Sequence, residues 1–234
     1  MIIAVSHQIY KKLQDIINVM VLPLSPYDKL DTPVASHADM LICVIDKTVF
    51  CYNDYYENNG SIFKNIEKLG YDVIKVNHQC SKKYPYDIGL NALIIGKKIF
   101  CKKEHIAKEI IDYGVNNGYS IINVKQGYSA CSCFVVNENI VITSDLGMKK
   151  ALENEGINVH IVYNKKIILE GYDCGFVGGS GFILNNKAYF FGKFYDLIKE
   201  NYNEILECFQ KNQIEIYSIS DECLKDYGGA KIFS

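Results

Sequence analysis

A succession of strand, turn, strand, helix and strand recurs four times along this chain, and a sequence that repeats one such unit is built to stack as an array or close as a ring. The first full unit, 36–79, reads as strand Met40 to Ile45, a turn at Asp46-Lys47, strand Val49 to Tyr52, a helix with Ile62, Phe63, Ile66 and Leu69 on one side, and strand Val73 to Val76. The second, 84–125, gives NALII, a turn at Gly96-Lys97, KIFC, a helix carrying Ile106, Ile110 and Tyr113, and SIINV. The third, 127–163, gives SCFVV, a turn at Asn137-Glu138, IVITS, a helix starting near Asp145, and VHIVY. The fourth, 173–219, gives GFILN, the turn Asn185-Asn186, KAYFF, a helix with Ile198, Tyr202, Ile205 and Phe209, and IEIYSI. Short apolar runs bounded by turn residues mark strands, and apolar residues at 3.6-residue spacing mark the buried face of a helix.

The two ends of the chain supply the pieces of one more unit. Ile2 to Val5 reads as a strand, Ser6 as the cap of a helix with Ile9, Leu13, Ile16 and Ile17 on one face, and Val19 to Leu24 as a further strand. This set lacks a first strand, and the C-terminal DYGGAKIFS is a first strand without a partner. Joining 226–234 to 1–24 makes a fifth unit closed by the two termini, which removes exposed sheet edges. The expected fold is therefore a single α/β domain over 1–234, a five-bladed α/β propeller of ββαβ units with pseudo-fivefold symmetry. A mixed α+β sandwich is the plainer arrangement that the same alternation allows.

Composition narrows the partners. The net charge of -2 is spread without a basic run, so nothing points to nucleic acid. Every basic residue other than histidine is lysine, for the chain contains no arginine. Two-pronged recognition of a carboxylate or phosphate normally uses arginine, so an anionic ligand would depend on lysine, backbone amides or hydroxyls. No stretch has the apolar length of a membrane span or a signal-peptide core, which makes a cytosolic protein the expectation. Nine cysteines without regular spacing are expected to stay reduced there. Cys131 and Cys133 form a lone C-x-C, so no structural zinc is expected, and no sequence feature asks for a cofactor.

Aligning the units on their turns brings the residues before each first strand to one end of the ring: Ser36-His37-Ala38-Asp39, Tyr86-Asp87 through Asn91, Ser129 to Ser132 with Cys131, Phe176 to Ser180 preceded by Asp173, and Asp226 to Gly229. A histidine, a cysteine and several carboxylates would converge there. A thiolate attacks an electrophilic carbon, a protonated histidine lowers the thiol pKa and then shuttles protons, and carboxylates grip a planar cation. The electrophile that suits this set is a guanidinium or amidine carbon. Tyr84, Tyr86 and Tyr128 can wall such a pocket, and the glycines of GYDCGFVGGSGF let backbone approach it closely.

Five ββαβ units, with H-x-D opening one unit and a cysteine opening the unit two further on, resemble the pentein superfamily of guanidino-group-modifying enzymes. The motifs HADML, YPYDIGLNA, QGYSACS, GYDCGFVGGSGF and DYGGAKIF together are similar to an uncharacterised bacterial family of that fold. The resemblance covers essentially the whole chain. It implies Cys131 as nucleophile, His37 as acid/base, and Asp39 and Asp226 as the carboxylates that hold the cation, with Asp87, Asp173, Asn91 and Ser180 as further candidates for contacting a small-molecule substrate. It also implies circular permutation, because Phe233 stands about where the superfamily's C-terminal nucleophile would fall.

Each residue also has a plainer reading. Free cysteine packs as a small hydrophobe, and Cys133, one strand step from Cys131, points to the opposite side and into a core. His37 has a plainer reading as a cap or turn residue, and Asp39 and Asp87 read equally as aspartates bonding their own backbone. Members of the fold without catalysis exist, so a non-catalytic ring that binds a protein or metabolite is the alternative function.

Overall fold

The computed structural model describes residues 1–198 and 201–234. In chain order it begins with β1 (Ile2–Ser6), α1 (His7–Gln14) and β2 (Met20–Leu24). The first full unit is α2 (Ala38–Leu41), β3 (Ile42–Ile45), β4 (Thr48–Tyr52), α3 (Asn53–Glu67) and β5 (Asp72–Val76). The next comprises β6 (Leu93–Ile95), β7 (Lys98–Cys101), α4 (Lys108–Asn116) and β8 (Ser120–Asn123). The third comprises β9 (Cys133–Asn137), β10 (Ile140–Thr143), α5 (Leu146–Asn154) and β11 (Asn158–Ile161), and the fourth β12 (Gly181–Leu184), β13 (Lys187–Phe190), α6 (Tyr202–Lys211) and β14 (Glu215–Ser218). The final strand is β15 (Ala230–Phe233).

These strands form five separate three-stranded sheets of one topology. In each, an antiparallel hairpin is followed by a helix that returns the chain parallel to the second strand, as β3–β4–β5 does with Ile42 opposite Cys51 and Thr48 beside Asp72. The fifth sheet has the order β15-β1-β2: Phe233 lies opposite Ile2 and Met20 beside it, so the two chain ends meet in one sheet. Pro23 is accommodated because β2 is an edge strand, where a missing N–H costs no ladder bond. The hairpin turns carry the residues that left-handed backbone favours: Asp46, Gly96, Asn185 and Asn186 all have φ between 51 and 58°.

The element boundaries differ from the sequence reading where the chain does something else first. Met40 and Leu41, expected in a strand, form one helical turn with Ala38 and Asp39. Asn91 and Ala92 precede β6 in a turn closed by Asn91 N–H to the Ile88 carbonyl. Ile106 lies before α4, and Ser132 before β9. The spacing of Ile198, Tyr202, Ile205 and Phe209 runs across residues 199–200, which lie outside the described residues. The helix is described from Tyr202, with Ile205 and Phe209 buried.

Each long helix packs over its own sheet, and the apolar residues pool into cores between them. The central strands are dry on both faces: Ile3, Ala4 and Val5 of β1 are fully buried, as are Val49, Phe50 and Cys51 of β4. Caps fix where helices start. Ser6 Oγ accepts the Gln8 N–H ahead of α1, and the Asp145 carboxylate accepts the Met148 N–H ahead of α5. A cavity of about 300 Å³ is lined by residues from the first strand of every unit, including Val44, Ile94, Val135, Ile183 and Ile232. No helix is long and apolar enough to cross a membrane among the described residues.

Candidate active site

The segments that precede the first strands enclose a second cavity, of about 240 Å³, lined by His37, Met40, Tyr128, Cys131, Phe176 and Asp226 among others. Cys131 sits in the loop before β9, 4% exposed. Its sulfur accepts a 2.9 Å hydrogen bond from Asn91 Nδ2. The Asn91 amide joins three segments, since Nδ2 also donates to the Asp39 carbonyl at 3.0 Å while Oδ1 accepts the backbone N–H of Ala130 at 2.9 Å. Asn91 therefore positions the cysteine and ties it to the H-x-D segment.

His37 is the N-cap residue of α2, but its ring makes no cap bond. It is 1% exposed, with Nδ1 3.6 Å from Asp226 Oδ1. Asp226 is fixed by two backbone amides, Phe176 N–H to Oδ2 at 2.8 Å and Gly228 N–H to Oδ1 at 2.9 Å. Glycines make this closeness possible. A Cβ on Gly228 would stand 2.3 Å from that of His37, at a φ of 76° that side chains avoid, and one on Gly179 would strike the Asp226 carboxylate. A Cβ on Gly178 would meet the carbonyl of Cys131 at 2.6 Å. The glycine runs thus seat His37, Asp226 and the cysteine loop against one another.

Asp39 lines the cavity of about 300 Å³ among the first strands and not this one, and three buried polar atoms around the cysteine lack any hydrogen-bond partner among the described residues: His37 Nε2 and both carboxylate oxygens of Asp39. Leaving a buried donor or acceptor unmade costs about 1–3 kcal/mol each, more for an ionised group. Burial and then the Asp39 and Asp226 carboxylates hold the Cys131 thiol well above its ordinary pKa. This reverses the expectation of a thiol lowered by its histidine, because the negative groups and the dry surroundings outweigh it. Burial likewise raises the Asp226 carboxyl, against the opposing pull of His37, with Asp39 adding to the rise.

The remaining candidates lie in different places. Asp87 stands behind Tyr128, accepting its hydroxyl at 2.6 Å, and burial raises its carboxyl. Asp173 lines the cavity at its exposed rim. Ser180 is buried away from the lining, its hydroxyl donating to the Val177 carbonyl at 2.7 Å. Cys133 packs with Leu93, Val141 and Met148 in a core of its own. Of the expected wall, Tyr128 lines the cavity with Tyr84 packed against it at 5.6 Å, whereas Tyr86 is exposed beside His105. Tyr172, Leu169 and Val34 are wall residues that no periodicity singled out. All nine cysteines are free, and among the described residues no group of His, Cys, Asp and Glu is arranged to hold a metal.

Known structures share this fold across nearly the whole chain. DDAH from Pseudomonas aeruginosa, a cysteine-to-serine mutant complexed with citrulline, aligns with a TM-score of 0.54 at 9% identity, over 92% of this chain and 80% of that one. SxtG, an amidinotransferase from Microseira wollei, gives 0.53 at 10% identity over 89% and 74%. C. jejuni agmatine deiminase gives 0.51 at 13% identity over 94% and 75%. All three are members of the pentein superfamily, and the fold of this chain is theirs. By sequence the chain belongs to DUF6873, a family of unknown function, whose model matches residues 3–230. No curated protein matches the sequence.

Proposed function

We propose that this protein is a cysteine-dependent enzyme acting on the C–N bond of a small guanidino or amidino substrate, with its five ββαβ units arranged as a five-bladed propeller. One observation carries the reading: a buried carboxylate, Asp39, with both oxygens unpartnered, acts directly on the thiol of Cys131, and His37, whose Nε2 is likewise unpartnered, lines the cavity that holds this cysteine. A planar cation that donates N–H groups satisfies the carboxylate and sets its central carbon against the sulfur. Asp226 supplies the second negative charge. The propeller reading draws on the axial cavity lined by all five first strands.

The raised thiol pKa fits this chemistry. Burial and then the charges of Asp39 and Asp226 hold the thiol neutral; a bound guanidinium offsets the two charges, and the thiol then passes its proton to His37 to form the thiolate. The thiolate attacks the guanidino carbon, making a C–S bond and a tetrahedral adduct. The C–N bond then breaks, and the departing amine takes a proton from His37. Water, deprotonated by His37, attacks the thiouronium carbon; the C–S bond breaks and the thiolate is returned. An amine in place of water would make the same site an amidinotransferase.

The elevated thiol pKa equally favours a second reading, a ring that binds a cationic metabolite without reacting with it. Labelling by 2-chloroacetamidine separates them. Selective alkylation of Cys131, abolished by Cys131→Ser and slowed at least tenfold by Asp39→Asn, is expected of the enzyme. Modification with no preference for Cys131 over the other buried thiols overturns it.

A further inference from the structure

Above Cys131 the cavity is walled by apolar side chains and two phenols, Tyr128 and Tyr172. Each phenol has already given its one proton away: Tyr128 Oη donates to Asp87 Oδ2 at 2.6 Å, and Tyr172 Oη to Asp31 Oδ2 at 2.9 Å. A hydroxyl whose proton is held by a carboxylate behind it offers a ligand only lone pairs, and the carboxylate strengthens it as an acceptor. Burial and the hydrogen bond to Asp31 push the Tyr172 phenol up to about 12, so it stays protonated and committed. Asp173 adds another acceptor at the rim. Asp87 is 6% exposed, its Oδ1 has no partner among the described residues, and no lysine is paired with it there.

Behind the wall, Lys102 is turned to the Tyr84 hydroxyl, to which it donates at 2.8 Å, and Tyr84 packs on Tyr128. No lysine lines the cavity among the described residues, and the chain has no arginine. Lys165 is close enough to act on the Cys174 thiol, but the nearby acid Asp173 acts on that thiol in the opposite sense. From these two phenols a carboxylate receives no hydrogen-bond donor and meets carboxylates behind them, whereas an ammonium finds acceptors and aromatic faces.

We propose that Tyr128 and Tyr172, oriented by Asp87 and Asp31, form an acceptor-only collar that selects substrates whose tail is an amine or another N–H-rich cation and rejects tails ending in a carboxylate. The collar rests on the reading of Cys131 and Asp39 as the guanidino-carbon site, and it fixes the substrate class: an aminoalkyl guanidine or amidine and not a guanidino acid. Tyr172, 45% exposed at the mouth, is the residue whose change discriminates without disturbing the core.

Calorimetric binding of three guanidines with the same four-carbon chain tests the collar: 4-aminobutylguanidine, butylguanidine and 4-guanidinobutanoate. Hydrogen bonds to a charged group predict that the amine binds roughly 10- to 100-fold more tightly than the carboxylate, with the neutral compound between. Tyr172→Phe and Asp31→Asn should each narrow the amine-to-carboxylate ratio to about threefold or less, and the ratio cancels any general loss of affinity. Equal or tighter binding of the carboxylate, no binding of any of the three, or a ratio unmoved by both substitutions overturns the collar. Chloroacetamidine has no tail, so failure to label Cys131 while the amine still binds selectively would overturn the catalytic reading and leave the collar standing as a recognition site.

Discussion

Replacing Asn91 by leucine, which nearly keeps its shape, isolates what the amide does for the Cys131 sulfur. Nδ2 donates to that sulfur over 2.9 Å, and a hydrogen bond to an ionised group contributes about 1.5–3 kcal/mol. Only the thiolate is nucleophilic, so removing the donor lowers its population at every pH below the thiol pKa. At about 1.4 kcal/mol per factor of ten, alkylation of Cys131 by iodoacetamide should slow roughly 10- to 100-fold. Asp39→Asn has the opposite sign, because after burial Asp39 is the largest influence holding the thiol neutral. The assay follows carbamidomethylation of Cys131 by mass spectrometry, normalised to the exposed Cys223 of the same molecule. Asn91→Leu also strands the Ala130 N–H and the Asp39 carbonyl, so rates are compared well below the unfolding temperature of every variant. Unchanged or faster alkylation in Asn91→Leu, together with no acceleration in Asp39→Asn, would refute the electrostatic account of this thiol.

Gly228→Ala should cost at least about 1–3 kcal/mol through its left-handed backbone alone, with more from the clash with His37, and thermal unfolding should fall by several degrees. Cys133→Ala should leave chloroacetamidine labelling of Cys131 unchanged, since Cys133 belongs to a separate core; a loss of labelling would contradict that assignment. Asp87 and Asp226 both have carboxyls raised above the ordinary 3.8. The folded state therefore binds their protons more readily than the unfolded chain, and their contribution to stability is complete below pH 3.8 and lost as pH rises through the raised values. The ligand-free protein should gain unfolding temperature on mild acidification towards that value, and Asp226→Asn should blunt the gain. Ile3→Ala, a truncation in the fully buried strand that joins the chain ends, should cost about 2–5 kcal/mol by chemical denaturation.

Architecture was legible in this sequence because it is written in local patterns repeated several times. Hairpin turns such as Asn185-Asn186 and apolar faces such as that of α3 repeat often enough for each copy to check the others, and the incomplete units at 1–24 and 226–234 are complementary only if the ends pair. The convergence of the candidate residues was legible in part, since His37, Cys131 and Asp226, which line one cavity, share one place in the unit. Its electrostatics were not. Whether a histidine lowers a thiol pKa depends on the balance of burial and neighbouring carboxylates in three dimensions, and that balance raised Cys131. Tyr172 and Asp31 escaped notice because a contact across 141 residues of sequence leaves no periodicity. The helical turn at Met40-Leu41 was hidden by apolar residues that suit a buried helix as well as a strand.

The pairing of β1 with β15 has a consequence for the timing of synthesis. His37 leaves the ribosome early, but Asp226 and Gly228, which seat its ring, and β15, which closes the fifth sheet, come from the far end of the chain. A nascent chain carries the histidine, and from residue 131 the cysteine, before the frame that brings them together has been made. Prematurely terminated products that stop short of Ala230 would lack β15 and could not close the fifth sheet, so the setting of Cys131 and His37 would exist only in molecules in which β15 has been made.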